Sequence, residues 1–111
     1  MKARFSPKNE DVDQHEDLTP GNVYRVIEWP LDSYRVMNDQ GEPILYPSFL
    51  FIVVDDRWPD DWVVKYAEDG ERYVSPAVFS EPGFFEDYFD GKKEAVTVFK
   101  RRLLQWRNGT D

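Results

Sequence analysis

The 111-residue chain has no cysteine and one histidine. Without thiols there is no structural disulfide, no thiolate metal site and no cysteine nucleophile, and a reducing cytoplasm is a permitted setting. The lone His15 lies in Asp11-Val12-Asp13-Gln14-His15-Glu16-Asp17, where nothing rigid orients it as a base, so a hydrolytic triad is not expected. Zinc sites draw on nitrogen and sulfur, which one histidine among carboxylates does not supply. There is no Gly-rich phosphate loop, and no cofactor is expected. No segment approaches the roughly 20 consecutive apolar residues of a membrane span. The opening MKARFSPKNEDVDQHEDL has none of the apolar core of a signal peptide, so the chain reads as soluble, unexported and cytoplasmic.

Positive charge is scarce over most of the chain. Fourteen Lys and Arg stand against twenty-two Asp and Glu, a formal charge of −8. Up to Gly91 there are eight bases and twenty acids, a balance of −12; after it, six bases and two acids, or +4. Such acidity repels phosphates and anionic bilayers, so neither nucleic acid nor membrane is an expected partner; it favours solubility and steers basic proteins toward the surface. The late cations Lys100, Arg101, Arg102 and Arg107 read as the wet side of a docked helix. Carboxylate pairs such as Glu86 with Asp87, or Glu42 with Glu71, are inevitable among so many acids and do not by themselves indicate glycoside chemistry. Asp55, Asp56, Asp60 and Asp61 have the oxygens a hard cation wants but not the calcium-loop spacing with its central glycine, so a solvated loop is the favoured reading. The chain is not expected to be an enzyme.

What is present is β-structure. Residues 1–17 have only Phe5 and Val12 to bury and are expected to form a flexible acidic arm, with a single domain from 18 to 111. Val23-Tyr24-Arg25-Val26-Ile27-Glu28-Trp29 has a strand's residue types; period two puts Val23, Arg25 and Ile27 on one face and Tyr24, Val26 and Glu28 on the other. After a break at Pro30-Leu31-Asp32-Ser33, Tyr34-Arg35-Val36-Met37 forms a second strand with Tyr34 and Val36 together. The Asn38-Asp39-Gln40-Gly41 turn returns it as Ile44-Leu45-Tyr46, which Pro47 ends. Leu50-Phe51-Ile52-Val53-Val54, apolar throughout, reads as a central strand buried on both faces. Trp62 to Tyr66, a turn at Glu68 to Glu71, and Arg72 to Ser75 make a second hairpin, stopped by Pro76. Phe84 to Phe89 is a short helical segment. Residues 92–107 form an amphipathic helix whose Ala95, Val96, Phe99, Leu103 and Trp106 fall within about 100° of one another, with Asp90 or Gly91 at its start and Gly109 at its stop.

One recipe occurs twice: DQGEPILYPSFLF at 39–51 and EDGERYVSPAVF at 68–79 each run from an acidic turn through Gly-Glu and β-formers to a proline and an apolar cluster. Two copies are too few for a solenoid, and hairpins draw on few turn sequences, so convergence on common scaffolding is preferred to duplication. The acidic loop between the copies, Trp58-Pro59-Asp60-Asp61-Trp62, is the better functional candidate. A tryptophan held out by proline among carboxylates suits a binding hot spot; the competing reading folds both rings back as a lid on the core. The candidate surface comprises Trp58, Asp60, Asp61 and Trp62 with Glu68, Asp69 and Glu71.

Leu18-Thr19-Pro20-Gly21-Asn22-Val23-Tyr24-Arg25-Val26 resembles the diverging turn and strand of SH3-like barrels, and the likeness continues through Tyr34-Arg35-Val36, the Gly41 turn and Pro47-Ser48-Phe49-Leu50, which looks like the proline-started 3₁₀ turn before the last barrel strand. The segment before the turn has no aromatic and Tyr34 stands where peptide-binding SH3 domains carry tryptophan, so the resemblance implies the fold and not the proline-rich ligand. The chain is also similar in style to immunity proteins of polymorphic toxin systems, which implies a basic toxin as partner. The expectation is therefore a mainly β chain with a C-terminal helix (α+β), an SH3-like, strongly bent antiparallel sheet or barrel of about five or six strands with the helix packed across it. Its expected function is non-catalytic binding of a basic protein on the acidic tryptophan surface. The alternatives are a carboxylate-using enzyme or ligand-binding barrel, and a homodimer subunit.

Overall fold

In the computed structural model, which describes residues 1–8, 14–30, 32–66 and 68–107, the alternation Lys2-Ala3-Arg4-Phe5 builds the first strand, β1 (Lys2–Phe5). Six strands follow: β2 (Val23–Pro30), β3 (Ser33–Met37), β4 (Pro43–Pro47), β5 (Phe51–Asp55), β6 (Trp62–Tyr66) and β7 (Arg72–Pro76). Two helices come after them, α1 (Phe84–Phe89) and α2 (Lys93–Arg107). Every pairing is antiparallel, and the main path runs β4-β3-β2-β1-β5. β7 pairs with β6 and with the end of β2, at Trp29 and Pro30. The chain is thus mainly β with a C-terminal helix, and its sheet is open, with β4 and β5 at the two ends of the path.

The first strand, β1, is the one unforeseen. Residues expected to belong to a loose arm form a central strand instead, because Ala3 and Phe5 turn the inner face of β1 apolar while Lys2 and Arg4 face water. Met1, Ala3 and Phe5 are all buried. With β1 in the middle, β5 is displaced to the edge, where it pairs with β1 alone among the described residues. The run Ile52-Val53-Val54, expected to be buried on both faces, is exposed. Asp11-Val12-Asp13 of the expected arm, Leu31 of the first break and the helix stop at Gly109 lie outside the described residues.

The sheet separates two cores. Phe5, Tyr24, Val26, Tyr34, Val36, Tyr46, Leu50 and Phe51 fill the first, so Tyr34 and Val36 do point together. Ile27, Phe79, Phe85, Phe99 and Trp106 fill the second, between the sheet and the helices. The expected two faces of β2 hold through Ile27 and then fail: the register of β2 on β3 shifts between Val26 and Glu28, which carries Glu28 to the side of Arg35, opposite Tyr34 and Val36.

Both copies of the recurring recipe fold alike. Gly41 and Gly70 turn the hairpins with φ of 77° and 86°, a conformation that costs glycine little. In the first turn, Oδ1 of buried Asn38 accepts the N–H groups of Gln40 and Glu42 at 3.0 and 2.9 Å; in the second, Asp69 Oδ1 accepts that of Glu71 at 3.0 Å. Each return strand ends at a proline, Pro47 or Pro76, followed by a 3₁₀ turn, Ser48–Leu50 or Ala77–Phe79. The third residue of each turn is a plug: Leu50 enters the first core and Phe79 the second.

Burial raises the phenols of Tyr24, Tyr34 and Tyr46 above their usual 10.0, and the Asp17 carboxylate that accepts the Tyr46 hydroxyl hydrogen adds to the last. A phenol whose folded pKa is raised keeps its proton longer folded than unfolded. Its contribution to stability is therefore complete below pH 10 and lost as pH rises through the folded value. Melting temperature should be insensitive to these groups up to about pH 10 and fall steeply above it; a flat profile to about pH 12 would contradict the assignment.

Candidate functional site

The acidic loop is fastened at both ends. Asp55, the last residue of β5, takes a charge-assisted pair from Arg57, with Nε at 3.0 Å and Nη2 at 2.7 Å, and these bonds hold its carboxyl well below the usual range. At the other end the Trp62 N–H donates to the Pro59 carbonyl at 3.1 Å, closing a turn, and the Ala77 N–H donates to the Asp61 carbonyl at 2.8 Å. The Asp61 carboxylate meets Arg102 Nη2 at 3.1 and 3.2 Å, which ties the loop to α2. Arg102 is buried; Gln105 accepts its Nη1 at 3.0 Å, its guanidinium lies 5.1 Å from the Trp106 ring centre, and its Nε has no partner among the described residues.

Three indoles meet above the first core. Trp58 stacks on Trp62 at 6.1 Å and 27°, and meets Trp29 edge-on at 6.1 Å and 81°. Arg72 lies over Trp29 at 4.5 Å. Trp62 is half-buried against the core, whereas Trp58 leaves 40% of its surface in water. The two tryptophans therefore divide the expected roles, Trp62 covering the core and Trp58 standing on it. A shallow cleft of about 470 Å³ opens beside Trp58, bordered by Tyr34, Val53 and Asp56.

The seven candidate residues do not form one patch. Trp58, exposed Asp60, Asp61 and Trp62 gather where β6 begins; Glu68, Asp69 and Glu71 sit at the far turn of the β6–β7 hairpin, beyond the four strand steps, or about 13 Å, of β6. Asp61 is engaged with Arg102, and Glu71 accepts the Tyr73 hydroxyl hydrogen at 3.1 Å.

Glu71 instead borders the larger concavity, a groove of about 650 Å³ between the β2–β3 hairpin, the β6–β7 hairpin and the start of α1. At its floor is an ion pair absent from the sequence reading: Glu28 Oε1 and Arg35 Nε at 3.3 Å, their side chains 14% and 12% exposed. Arg35 Nη1 also donates to the Pro43 carbonyl at 2.9 Å, and its guanidinium lies 4.0 Å from the Phe85 ring centre. Burial raises the pKa of Glu28 despite the pull of Arg35, and lowers that of Arg35 despite Glu28. Desolvation outweighs attraction on both sides, so this pair contributes little to stability. The signal that could have revealed it was Tyr34 and Val36 pointing together, which sends Arg35 to the other face; the bulge that brings Glu28 there has no sequence marker. The groove also joins Glu71 to Glu86, candidates from different nominal pairs, while Glu42 stays at its turn and Asp87 binds Lys92 at 3.0 Å.

Arg102 was expected in water. Its place on the helical wheel, about 20° beyond Ala95, put it at the edge of the apolar stripe. No group of three or more His, Asp or Glu side chains is placed to hold a metal among the described residues, and no helix there is long and apolar enough to cross a membrane. No family model, curated protein or solved structure matches the chain.

Proposed function

We propose that the chain is a non-catalytic binding domain that captures a basic protein, with Trp58 as its anchor and neutralisation of a toxin as one such role. The observation that carries this reading is Trp58, held by two other indoles yet 40% exposed, in a loop where Asp56 and Asp60 are also exposed. A rigid aromatic costs little entropy to immobilise, and flanking carboxylates favour Lys or Arg on the partner. The strand order β4-β3-β2-β1-β5 and the 3₁₀ turn leading into β5 support a likeness to SH3-like barrels, here with an open sheet. In a pull-down from cells that make both proteins, Trp58→Ala should lower affinity for a basic partner by about tenfold or more, and Asp60→Lys should do likewise. Asp60→Lys should keep the parental melting temperature, because its side chain is exposed, and Trp58→Ala should lower it by only a few degrees, because the ring packs on two indoles but leaves 40% of its surface in water. Equal recovery by the variants would reject the surface.

The exposed apolar edge of β5 favours a second reading, a homodimer subunit, since Ile52, Val53 and Val54 carry none of the lysines or prolines that usually protect an edge. Sedimentation of the same preparations at two concentrations separates the readings.

A further inference from the structure

We propose that the groove between the β2–β3 hairpin, the β6–β7 hairpin and α1 receives an arginine side chain from a basic peptide segment. The inference rests on the binding reading above and adds this groove as a second point of charge recognition beside the Trp58 loop.

Charge comes first. Glu28, Asp32, Glu71, Glu81 and Glu86 border the groove against two cations, Arg35 and Lys65. Arg35 is matched by Glu28, and Lys65 Nζ donates to the Ser80 carbonyl at 3.3 Å, so four carboxylates face one lysine. A concave, partly desolvated surface concentrates that field more than an open one does.

Shape is second. Phe84, Phe85, Tyr66 and Tyr73 supply aromatic walls, and Tyr66 is 71% exposed. A planar guanidinium uses both features together, stacking on a ring while its edge donates to a carboxylate. The groove already contains this arrangement once, with Arg35 over Phe85 and edge-on to Glu28. A second guanidinium finds its acceptors in Glu71, whose Oε2 is steadied by the Tyr73 hydroxyl, and in Glu28, of which Oε1 alone is engaged among the described residues. An incoming chain is extended here with ease, because β6 and β7 present Lys65, Tyr73 and Ser75 along one wall. The buried Glu28–Arg35 pair at the groove floor agrees, since perturbed ionisable groups in a cleft gather at functional sites.

The test uses two blocked pentapeptides, glycines around a central arginine and the same sequence with neutral citrulline, titrated into the ¹⁵N-labelled chain. The arginine peptide should shift the amides of Ser33, Glu71, Tyr73 and Phe85, and the citrulline peptide should not. Glu71→Gln should weaken the arginine peptide by about tenfold, as loss of a charged acceptor does, while Trp58→Ala should change it by less than about twofold. Glu71 is a surface residue of a turn, so its variant should fold. Equal shifts from the two peptides, no shifts in the groove, shifts centred on the Trp58 loop, or an unaffected Glu71→Gln variant would each overturn the inference. If the groove fails while Trp58→Ala still abolishes partner capture, the binding reading stands without it.

Discussion

Phe79→Ala should be the most damaging single truncation in the chain, costing about 3–5 kcal/mol, the range for losing a buried phenylalanine. Phe79 is 2% exposed and lies 5.0, 5.5, 5.4 and 6.1 Å from the ring centres of Phe84, Phe85, Phe99 and Trp106. Those four rings belong to α1 and α2, and Phe79 is carried by the second 3₁₀ turn, so one side chain couples both helices to the β6–β7 hairpin. Short helices of this kind owe most of their stability to such packing. The expected readout has two parts: a fall in melting temperature of more than about 10 °C, and a loss of hydrogen-exchange protection concentrated in Lys93–Arg107. Leu50→Ala, the equivalent change in the first copy, should cost about 2–5 kcal/mol but loosen the strands around the first core. A loss under about 1 kcal/mol from Phe79→Ala, or the same exchange pattern from both variants, would contradict the two-core organisation.

That organisation shows what a sequence of this kind reveals. The hairpin turns were legible because Asn38-Asp39-Gln40-Gly41 and Glu68-Asp69-Gly70-Glu71 carry their own chemistry: a glycine at positive φ and a side chain bonded to nearby N–H groups. The recurrence of Gly, then Pro six residues on, then an apolar plug was legible as pattern and takes its meaning only from the two cores. β1 was overlooked because a four-residue strand with one large apolar side chain has little signal, and its central place comes from partners nineteen or more residues away. That misplacement reversed the reading of β5, since a continuous apolar run fits a central strand and an uncovered edge equally well. In the candidate site, the prominence of Trp58 followed from local composition. The Glu28–Arg35 pair depended on a bulge, and the Asp61–Arg102 contact joins residues forty-one positions apart, so neither had a local cue.

Asp61→Ala should destabilise the fold by about 1–3 kcal/mol, less than the 3–5 kcal/mol of a wholly buried pair because Asp61 itself is 41% exposed. The cost arises on the other side. Arg102 is 7% exposed, already has an Nε unpartnered among the described residues, and would keep its charge in the second core's margin with Gln105 alone of those residues left to accept from it. An unmatched buried cation is more costly than no cation, so the double variant Asp61→Ala/Arg102→Met should be more stable than Asp61→Ala alone, methionine replacing the packing of the stem against Trp106. A double-mutant cycle by urea denaturation measures the coupling directly. The same pair positions the tryptophan loop: with Asp61 released from α2, the stack of Trp58 on Trp62 loses one of its moorings, while the Asp61 carbonyl bond to the Ala77 N–H stays in place. Partner affinity should therefore fall only partly in Asp61→Ala, by about threefold to tenfold, and stay low in the stabilised double variant. Recovery of binding in the double variant would show that the pair acts through stability alone, and a double variant no more stable than Asp61→Ala would show that Arg102 does not depend on its carboxylate partner.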